Sequence, residues 1–382
     1  MDLERIKTAL AAATPAPIYA KLRQAIYDQI KDGSLHPGES LPSERQLQTY
    51  FDVSRTTIRQ AINALIQEGL LQSVAGTGTF VLDRTAQRST PALIAMIVSG
   101  VNFHFFYPQL LTSFDEQIRR AGYALTVATH NESVELLEAI ADDFLAQGVV
   151  GLVVTPPRLG DFDRLLKKWE RAGVTVACVG RRVQNPNIDC VATDNVDIGY
   201  RATEVLIELG HRDIVHVGLN DYITGFDRAE GYQQAMQAAG LRPAVVSVQE
   251  HLPHEDGTAA AQTPREHLAE PAGQAIRAYW TQAARKPTAL FAFNDVMAMG
   301  IYKVMREMGL RIPEQVSLIS VDDLITIHHF EVPLTTFRLP SAAIGLNAAA
   351  LLLERIAAPN RAARQLLLPA KLIKRASTAP PA

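Results

Sequence analysis

The 382-residue sequence has only two cysteines, Cys178 and Cys190, and both lie in or beside apolar runs typical of strands. Two buried free thiols are therefore predicted, rather than a disulfide or a metal site. No apolar stretch approaches the roughly 20 residues that a membrane-spanning helix needs. Residues 1–17 mix acids with bases and lack a sustained apolar core, so no secretory signal is predicted. These absences exclude a disulfide-rich secreted domain, and we expect a cytoplasmic protein without a membrane partner.

The charge balance is nearly even, with 37 lysines and arginines against 40 acids and a formal net charge of -3. A protein coated in basic patches is thereby excluded. DNA binding through a small local face is not, because a few side chains suffice for phosphate contacts. The length indicates two or three domains, and 47% hydrophobic residues are enough to build their cores.

The stretch from Leu41 to Gln60 reads as two short helices joined by a tight turn. Ser43 and Gln46 fit a capping box for the first helix, and Ser54 is placed to cap the second. The second helix has one apolar face and one face suited to base edges and phosphates, which carries Arg55, Thr56, Thr57 and Arg59. Such a helix is typical of a helix-turn-helix. An ordinary helix pair with a solvated arginine face fits the same spacing.

The flanks of this stretch favour DNA recognition. A helix is predicted from about Ile18 to Asp32, after a loose arm at residues 1–14. Two short β-like runs lie on either side of Gly76-Thr77-Gly78, and they predict a small hairpin in the position of a wing.

Residues 17–81 carry the linked motifs P-I-Y, G-x-L-x-P-G, L-P-S-E-R, V-S-R-T-T-I-R, E-G-L and G-T-G-T-F-V. Together they resemble the winged-helix DNA-binding domain of GntR-type bacterial regulators. The resemblance implies DNA contacts from Arg45, Ser54, Arg55, Thr56, Arg59 and Gly76. Arginine can donate two parallel hydrogen bonds to one phosphate, and glycine, which has no side chain, lets the backbone come close to the DNA. The family usually has arginines in and before the wing, whereas this chain has Gln72, Ser73, Val74 and Thr77, so a weaker wing contribution is expected.

From Ala92 onward, buried-strand runs alternate with helical stretches, a pattern that predicts parallel sheets covered by helices. Roughly 290 residues are too many for one compact open sheet, so two lobes are expected. Polar residues 84–91, ended by Pro91, predict a linker. The predicted domains are thus a winged helix at 15–83, a two-lobed domain at 92–376 and a tail at 377–382.

Aromatic, charged and amide side chains follow the predicted strands of this region, and ligands in such folds bind at the carboxyl ends of strands. Asn102 to Tyr107 is dense in aromatic rings. The polar positions are Arg181, Arg182, Arg228, Asn294, Asp295, Asp322 and Asp323. Taken alone, each position is better explained by a structural role, such as a helix cap for Asn294 or Asp295 and a turn for Asp322. Their shared location at strand ends favours a ligand site.

The runs VATDNVDIGYRATEVLIELGHRDIVHVG, DRAEGY, FAFNDVMAMG, VSLISVDD and PLTTFR resemble the effector domain of LacI/GalR-type regulators, which share a fold with periplasmic sugar-binding proteins. The resemblance implies a cleft between the lobes lined by Phe106, Tyr107, Arg181, Arg228, Asp295 and Asp322. Aromatic faces stack on sugar C–H surfaces, and charged groups bond hydroxyls. Residues 251–273 are longer and more polar than is usual for the family, which predicts a flexible insertion. Its irregularly spaced histidines fit loop residues better than a metal site.

The predicted fold is therefore an α/β multidomain chain with an N-terminal winged helix-turn-helix and a two-lobed periplasmic-binding-protein-like domain with parallel sheets. The predicted function is a DNA-binding transcription regulator, a repressor whose homodimer binds operator DNA under the control of a sugar-like effector, similar to arabinose-responsive regulators. A nucleobase or sugar phosphate as effector stays open, as does a solute-binding protein. Enzyme motifs are absent from the sequence, so no catalytic residue, cofactor or metal is expected.

Overall fold

The computed structural model describes residues 1–11, 16–68, 70–74, 78–82, 91–100, 106–158, 161–219, 223–248 and 268–382. The chain forms two compact units, which divide between Thr90 and Pro91. The predicted linker at 84–91 lies outside the described residues except for Pro91. No helix in the described ranges is long and apolar enough to cross a membrane.

The N-terminal unit consists of helices and a small antiparallel hairpin. The elements are α1 (Leu3–Ala11), α2 (Ile18–Lys31), α3 (Glu44–Phe51), α4 (Arg55–Gln67), β1 (Leu71–Val74) and β2 (Gly78–Val81). The predicted caps are confirmed, because Ser43 and Gln46 form a capping box and the Ser54 side chain accepts from the Thr57 amide. Between α3 and α4, Asp52 takes the left-handed conformation with φ 53°, which reverses the chain within a few residues.

The segment at residues 1–11 differs from the loose arm predicted for 1–14. Residues 3–11 form α1, whose Ile6 is fully buried in the core of the unit. Arg5 pairs with Asp32, and Tyr50 donates to Glu4. The weak helical pattern of this segment concealed the helix, because burial of one isoleucine and contacts with other helices stabilise it more than its own propensity does.

The second unit has two lobes, each built on a six-stranded sheet. Lobe 1 contains β3 (Ala92–Val98), α5 (Phe106–Arg120), β4 (Tyr123–Thr129), α6 (Val134–Ala146), β5 (Gly151–Val154), α7 (Phe162–Arg171), β6 (Thr175–Gly180), β7 (Asp189–Thr193), α12 (Ser341–Ala357) and β13 (Gln365–Leu368). Its strand order is β13-β7-β6-β5-β3-β4, and neighbouring strands are parallel. Two apolar clusters cover the two faces of this sheet.

Lobe 2 repeats this plan with α8 (Asn195–Glu208), β8 (Ile214–Leu219), α9 (Ile223–Ala238), β9 (Ala244–Val248), α10 (Ala269–Gln282), β10 (Ala289–Ala292), α11 (Asp295–Glu307), β11 (Ser317–Val321), a 3-10 helix (Ile325–His329), β12 (Thr335–Arg338) and β14 (Lys371–Ile373). Its order is β14-β12-β11-β10-β8-β9. The pairing is parallel except between β12 and β14.

The chain passes between the lobes at three short connections. They join β7 to α8, β12 to α12, and β13 to β14. Each connection is only one to two residues long, so the lobes share a base at the carboxyl ends of β7, β12 and β13. Three short connections between two independent cores are the construction expected for hinged lobes.

Three boundaries differ from the sequence predictions. Phe106 and Tyr107 begin α5 rather than ending a loop. Of the predicted insertion at 251–273, residues 251–267 lie outside the described residues, and Ala269 to Gly273 are the first turns of α10. The predicted tail packs on lobe 2, since Ser377 is fully buried and the Ala379 carbonyl accepts from His211. The predicted free thiols are confirmed, because Cys178 and Cys190 are both unbridged and buried.

Candidate DNA-binding surface and effector cleft

The first turns of α4 present an exposed polar face. Ser54, Arg55, Thr56 and Arg59 are all exposed, whereas Ile58 on the opposite side is fully buried. Arg45 on α3 is also exposed and lines a polar depression that extends to Ser54. The structure therefore brings five of the six predicted DNA-contacting residues onto one surface. The sixth, Gly76, lies outside the described residues.

Glu44 connects the two arginines of this surface and was not singled out from the sequence. Its carboxylate accepts from Arg55 Nε at 2.9 Å and from Arg59 Nε at 3.2 Å. These hydrogen bonds, the one from Arg55 first, lower the pKa of Glu44. The two arginine side chains are 66% and 58% exposed. The sequence does contain a signal for this contact. Glu44 stands beside Arg45 in the motif L-P-S-E-R, and the next predicted helix carries two arginines, Arg55 and Arg59, four residues apart.

The described part of the wing is poor in positive charge. Gln72 and Ser73 on β1 are exposed, and β2 begins at Gly78. Gly78 has φ 136°, a conformation that L side chains rarely adopt. Neither described strand carries an arginine, in agreement with the departure noted in the sequence.

In lobe 1, charged side chains meet at the carboxyl ends of β4, β5 and β6. Arg181 is 6% exposed and donates from Nη1 to Glu132 at 2.8 Å and to the Pro156 carbonyl at 2.6 Å. Arg158 lies 3.4 Å from the same carboxylate. Burial by itself would raise the pKa of Glu132, but the charges of Arg181 and Arg158 lower it to about 2. The predicted effector residue Arg181 is thus anchored inside its own lobe.

The aromatic residues of the predicted site pack into the same lobe. Tyr107 is 3% exposed, shares a hydrogen bond of 2.8 Å with Ser99, and donates to Thr155 at 3.3 Å. Phe106 is half-buried and lies edge-on to Tyr107, and its ring lies 3.4 Å from where a side chain at Gly180 would begin. The rest of the predicted aromatic loop, residues 102–105, lies outside the described residues. Tyr107 serves mainly as a polar contact of the lobe core, and Phe106 is the more accessible ring.

In lobe 2, Arg228 at the start of α9 is 3% exposed and bonds within its own lobe. It donates from Nε to Asn195 Oδ1 at 3.0 Å and from Nη1 to the Phe293 carbonyl. Its guanidinium lies 4.5 Å from the centre of the Phe293 ring. Because Asn195 follows the first connection between the lobes, Arg228 ties α9 to the base of the cleft.

Asp295 and Asp322 occupy different environments, although both were predicted to line the cleft. Asp295 is fully buried and accepts from the hydroxyls of Ser320 and Thr336 and from the Leu324 amide. Burial and, next, the charge of Asp322 raise the pKa of Asp295 to about 7. Asp322 is half-exposed with φ 118°. The geometry therefore gives Asp295 partners inside the lobe and leaves Asp322 as the more accessible carboxylate.

Two buried polar atoms near the base of the cleft have no hydrogen-bond partner within the part of the chain that the structure describes. They are Asn294 Nδ2 and Thr193 Oγ1. Asn294 also caps α11 through its Oδ1, at 2.9 Å from the Met297 amide. The sequence indicated that capping role and also placed Asn294 among the polar residues at strand ends. Buried donors without partners are costly, so both atoms are candidates for contact with a ligand.

One ion pair joins the walls of the cleft. Arg182, which follows β6 in lobe 1, donates from Nε and Nη2 to Asp227 on α9 in lobe 2. This contact places the carboxyl edge of the lobe 1 sheet opposite α9. No group of three or more His, Cys, Asp or Glu side chains among the described residues is arranged to hold a metal ion.

Two family models match the chain. Residues 18–81 match the bacterial regulatory proteins of the gntR family, and residues 203–378 match the periplasmic binding protein-like domain. Among the similar proteins, the HTH-type transcriptional repressor PurR of Haemophilus influenzae is 30% identical, across 82% of this chain and 90% of that protein. The chain belongs to the bacterial transcription regulators. It joins a GntR-type DNA-binding domain to a periplasmic-binding-protein-like domain, as the motifs predicted.

Two further relatives of this regulator match nearly its whole length. The arabinose metabolism transcriptional repressor of Geobacillus stearothermophilus is 28% identical, over 89% of this chain and 91% of that protein. The solved structure of the transcriptional regulator CelR in complex with cellobiose is 23% identical, with a TM-score of 0.62 and coverage of 99% of both chains. The latter likeness confirms the predicted fold of the regulator.

Proposed function

We propose that this regulator is a sugar-responsive repressor, which binds a two-fold operator as a homodimer and releases it when a sugar-like effector enters the cleft between the lobes. The observation that carries the proposal is the cleft itself. Both of its walls present charged and amide side chains at the carboxyl ends of their sheets, on a chain that also carries a DNA-binding unit. A repressor works where the operator DNA is, and we therefore place the protein in the cytoplasm, in a regulatory rather than a catalytic role.

The DNA-binding half of the proposal rests on the exposed face of α4. Arg55 and Arg59 can each donate paired, charge-assisted hydrogen bonds to a DNA duplex. Ser54 and Thr56 supply short hydroxyl side chains suited to phosphates. Arg45 adds a cation from the preceding helix. Because the described wing strands lack arginine, we expect these three arginines to provide most of the contact.

The effector half rests on the chemistry of the cleft. Arg228 and Asp322 offer charge-assisted hydrogen bonds to hydroxyls, Asn294 offers an unused amide donor, and Phe106 offers a ring face for C–H surfaces. This set suits a polyol. One relative is named for arabinose metabolism and another was solved with cellobiose, which supports a sugar as the effector class.

The homodimer rests on symmetry and on exposed strand edges. A two-fold protein suits a palindromic operator. Each lobe ends in an apolar edge strand, β4 in lobe 1 and β9 in lobe 2, and Val127 on β4 is 40% exposed. Apolar edges of this kind are pairing surfaces unless something covers them.

The test is an operator-binding measurement. Operator DNA is first selected from random sequence with the full-length protein, and its affinity is then measured by fluorescence anisotropy with L-arabinose, ribose, cellobiose, other sugars and sugar phosphates. We expect one sugar to weaken binding by about 5- to 150-fold, the usual range of allosteric coupling. A response only to a sugar phosphate would change the effector class, and no response to any of these compounds would contradict effector control by sugars.

A further inference from the structure

Two pairs of consecutive charged residues face each other across the cleft, and their members have different partners. Arg181 bonds within lobe 1, whereas the adjacent Arg182 reaches lobe 2. Arg228 bonds within lobe 2, whereas the adjacent Asp227 reaches lobe 1. In each pair, therefore, one residue anchors the backbone to its own lobe and the other bridges the cleft.

The bridge between Arg182 and Asp227, called here the interlobe ion pair, has close bidentate geometry. Arg182 Nε lies 2.8 Å from Asp227 Oδ2, and Nη2 lies 2.6 Å from Oδ1. The Asp227 side chain is 3% exposed and that of Arg182 is 31% exposed. Bidentate pairs of this kind are directional, and the attraction between the two charges is less screened here than on an open surface.

The carboxylate end of the pair is rigidly attached to lobe 2. Helices α8 and α9 approach so closely that a β-carbon at Gly199 would lie 2.1 Å from the Arg228 carbonyl oxygen. A β-carbon at Gly231 would likewise lie 2.0 Å from the Val196 carbonyl oxygen. Asp227 consequently moves with α8, which begins directly after the first connection between the lobes.

The guanidinium end is attached to lobe 1 just as firmly. The neighbouring Arg181 is held by Glu132 and by the Pro156 carbonyl, and its own carbonyl accepts from the Cys190 thiol at 3.3 Å. With both ends fixed to their lobes, the two charged groups separate when one lobe rotates away from the other. The ion pair therefore opposes opening of the cleft.

We propose that the interlobe ion pair is a built-in closure device, which holds the lobes together before any effector binds. This proposal rests on the proposed function only because effector control would use the same opening and closing of the lobes. An effector shifts the equilibrium between open and closed forms by its differential affinity for them, so a pre-existing bridge reduces the shift that the effector must supply. Breaking the pair opens the effector-free protein and raises the effector concentration needed for a response.

The experiment measures the lobe separation in full-length protein without any sugar. Spin labels are placed on cysteines introduced at two exposed positions, Lys167 on α7 in lobe 1 and Gln237 on α9 in lobe 2, and their distance is measured by pulsed electron spin resonance. The buried thiols of Cys178 and Cys190 stay unlabelled, since burial raises the pKa of both. The variants are Arg182→Gln, Asp227→Asn and the double variant.

We expect each single substitution to lengthen and broaden the distance distribution, and the double variant to match the single ones, because all three break the same contact. A matched control is Arg164→Gln, which breaks an ion pair with Glu138 inside lobe 1 and leaves the distribution unchanged. Distributions that coincide for wild type and both single variants would overturn the proposal, as would additive shifts in the double variant. A failed sugar screen would leave this result intact, so the two proposals fail separately.

Discussion

The arginines of the candidate DNA-binding surface and those of the cleft are held in opposite ways. Arg55 and Arg59 are more than half exposed and share a single carboxylate, that of Glu44. Arg181 and Arg228 are at most 6% exposed, and each is fixed by partners in its own lobe. An arginine that must meet a phosphate can exchange partners cheaply in water, whereas a buried arginine cannot lose its partner without a large cost. The same residue type is thus loosely held on the candidate DNA-binding surface and firmly anchored in the cleft.

The largest effect is expected where the buried network of lobe 1 is broken. Arg181→Met leaves Glu132 without its principal partner in a mostly buried site, and removal of one partner of such a pair costs about 3–5 kcal/mol in the free energy of unfolding. Urea denaturation of the full-length protein measures it. Arg164→Gln, at a more exposed ion pair, is the control and should change the same free energy by less than about 1 kcal/mol. Equal losses in the two variants would remove the contrast between buried and exposed pairs.

The pH dependence of stability separates the two environments further. The pKa of Glu132 is about 2 in the folded protein against an ordinary value of 4.5, so its contribution is complete above about pH 4.5 and is lost as the pH falls toward 2. A shift of this size corresponds to about 3 kcal/mol. Unfolding of wild type and Glu132→Gln is compared from about pH 7 to about pH 3. The stability gap between them should narrow below pH 4.5, and a constant gap would show that the carboxylate charge is not what stabilises the lobe.

Arg228→Ala tests whether the cleft arginine also serves the ligand. A sugar at about 100 times its dissociation constant stabilises a folded protein by about 2.7 kcal/mol, and the substitution should abolish that stabilisation. Thermal unfolding with the sugar identified by the operator assay measures it. Asp322→Asn, at the more accessible carboxylate of lobe 2, should reduce the stabilisation by the sugar as well. For Asp295→Ala the sequence predicts the same loss of stabilisation by the sugar. Because Asp295 is buried and hydrogen-bonded, this substitution should also lower the stability of the protein without ligand. If the sugar stabilised Arg228→Ala as much as it stabilises the wild type, this arginine would have a structural role only.

Substitutions on the candidate DNA-binding surface should weaken operator binding and leave the free energy of unfolding nearly unchanged. Arg55→Ala or Arg59→Ala should weaken operator affinity by about 1–3 kcal/mol, while the free energy of unfolding changes by no more than about 0.5 kcal/mol. Anisotropy titrations and urea denaturation of the same preparations give both numbers. Gln60→Ala, an exposed neighbour outside the predicted contacts, is the control. Unchanged operator affinity in both arginine variants would return α4 to an ordinary solvated helix.

The smallest effect is expected for Glu44→Gln. Loss of the shared carboxylate frees both arginines from their common orientation, so they contact phosphates on any sequence more readily. The ratio of operator affinity to random-DNA affinity should fall a few-fold, and the salt dependence of binding should steepen, because released cations displace more counterions. Titrations at several salt concentrations measure both quantities. An unchanged ratio and slope would mean that the Glu44 contacts break without consequence when DNA binds.

Much of the fold could be predicted because its signals are local. The capping residues Ser43 and Ser54 each precede a helix, and the apolar runs of the second unit became the strands β3, β4, β5, β6, β8, β9, β10 and β11. The strands β7, β12, β13 and β14 were not predicted. They become strands because they pair with neighbours that are distant in the sequence, as Arg338 does with Lys371.

The sequence could predict which residues belong to the candidate site, but it could not predict their hydrogen-bond partners. Arg181, Arg228 and Asp295 follow apolar strands, and that position made them candidates for a cleft. Which of them bonds inside its lobe depends on Glu132, Asn195 and Thr336, which lie in a turn, a helix and a strand elsewhere in the chain. For the same reason Arg182 did not stand out beside Arg181, since the carboxylate that it reaches lies 45 residues away on the other lobe.

The sequence by itself determined the two domains, their family, the helix that is the candidate for DNA contact and the sheet edges that are candidates for ligand binding. These follow from periodicity, capping and linked motifs, all of which are written within short windows of the chain. The tertiary structure alone decided that α1 packs into the DNA-binding unit, that Glu44 holds two arginines, and that one of two adjacent arginines bridges the lobes. Each of these depends on distances between residues far apart in sequence, which only the packing of helices and sheets sets.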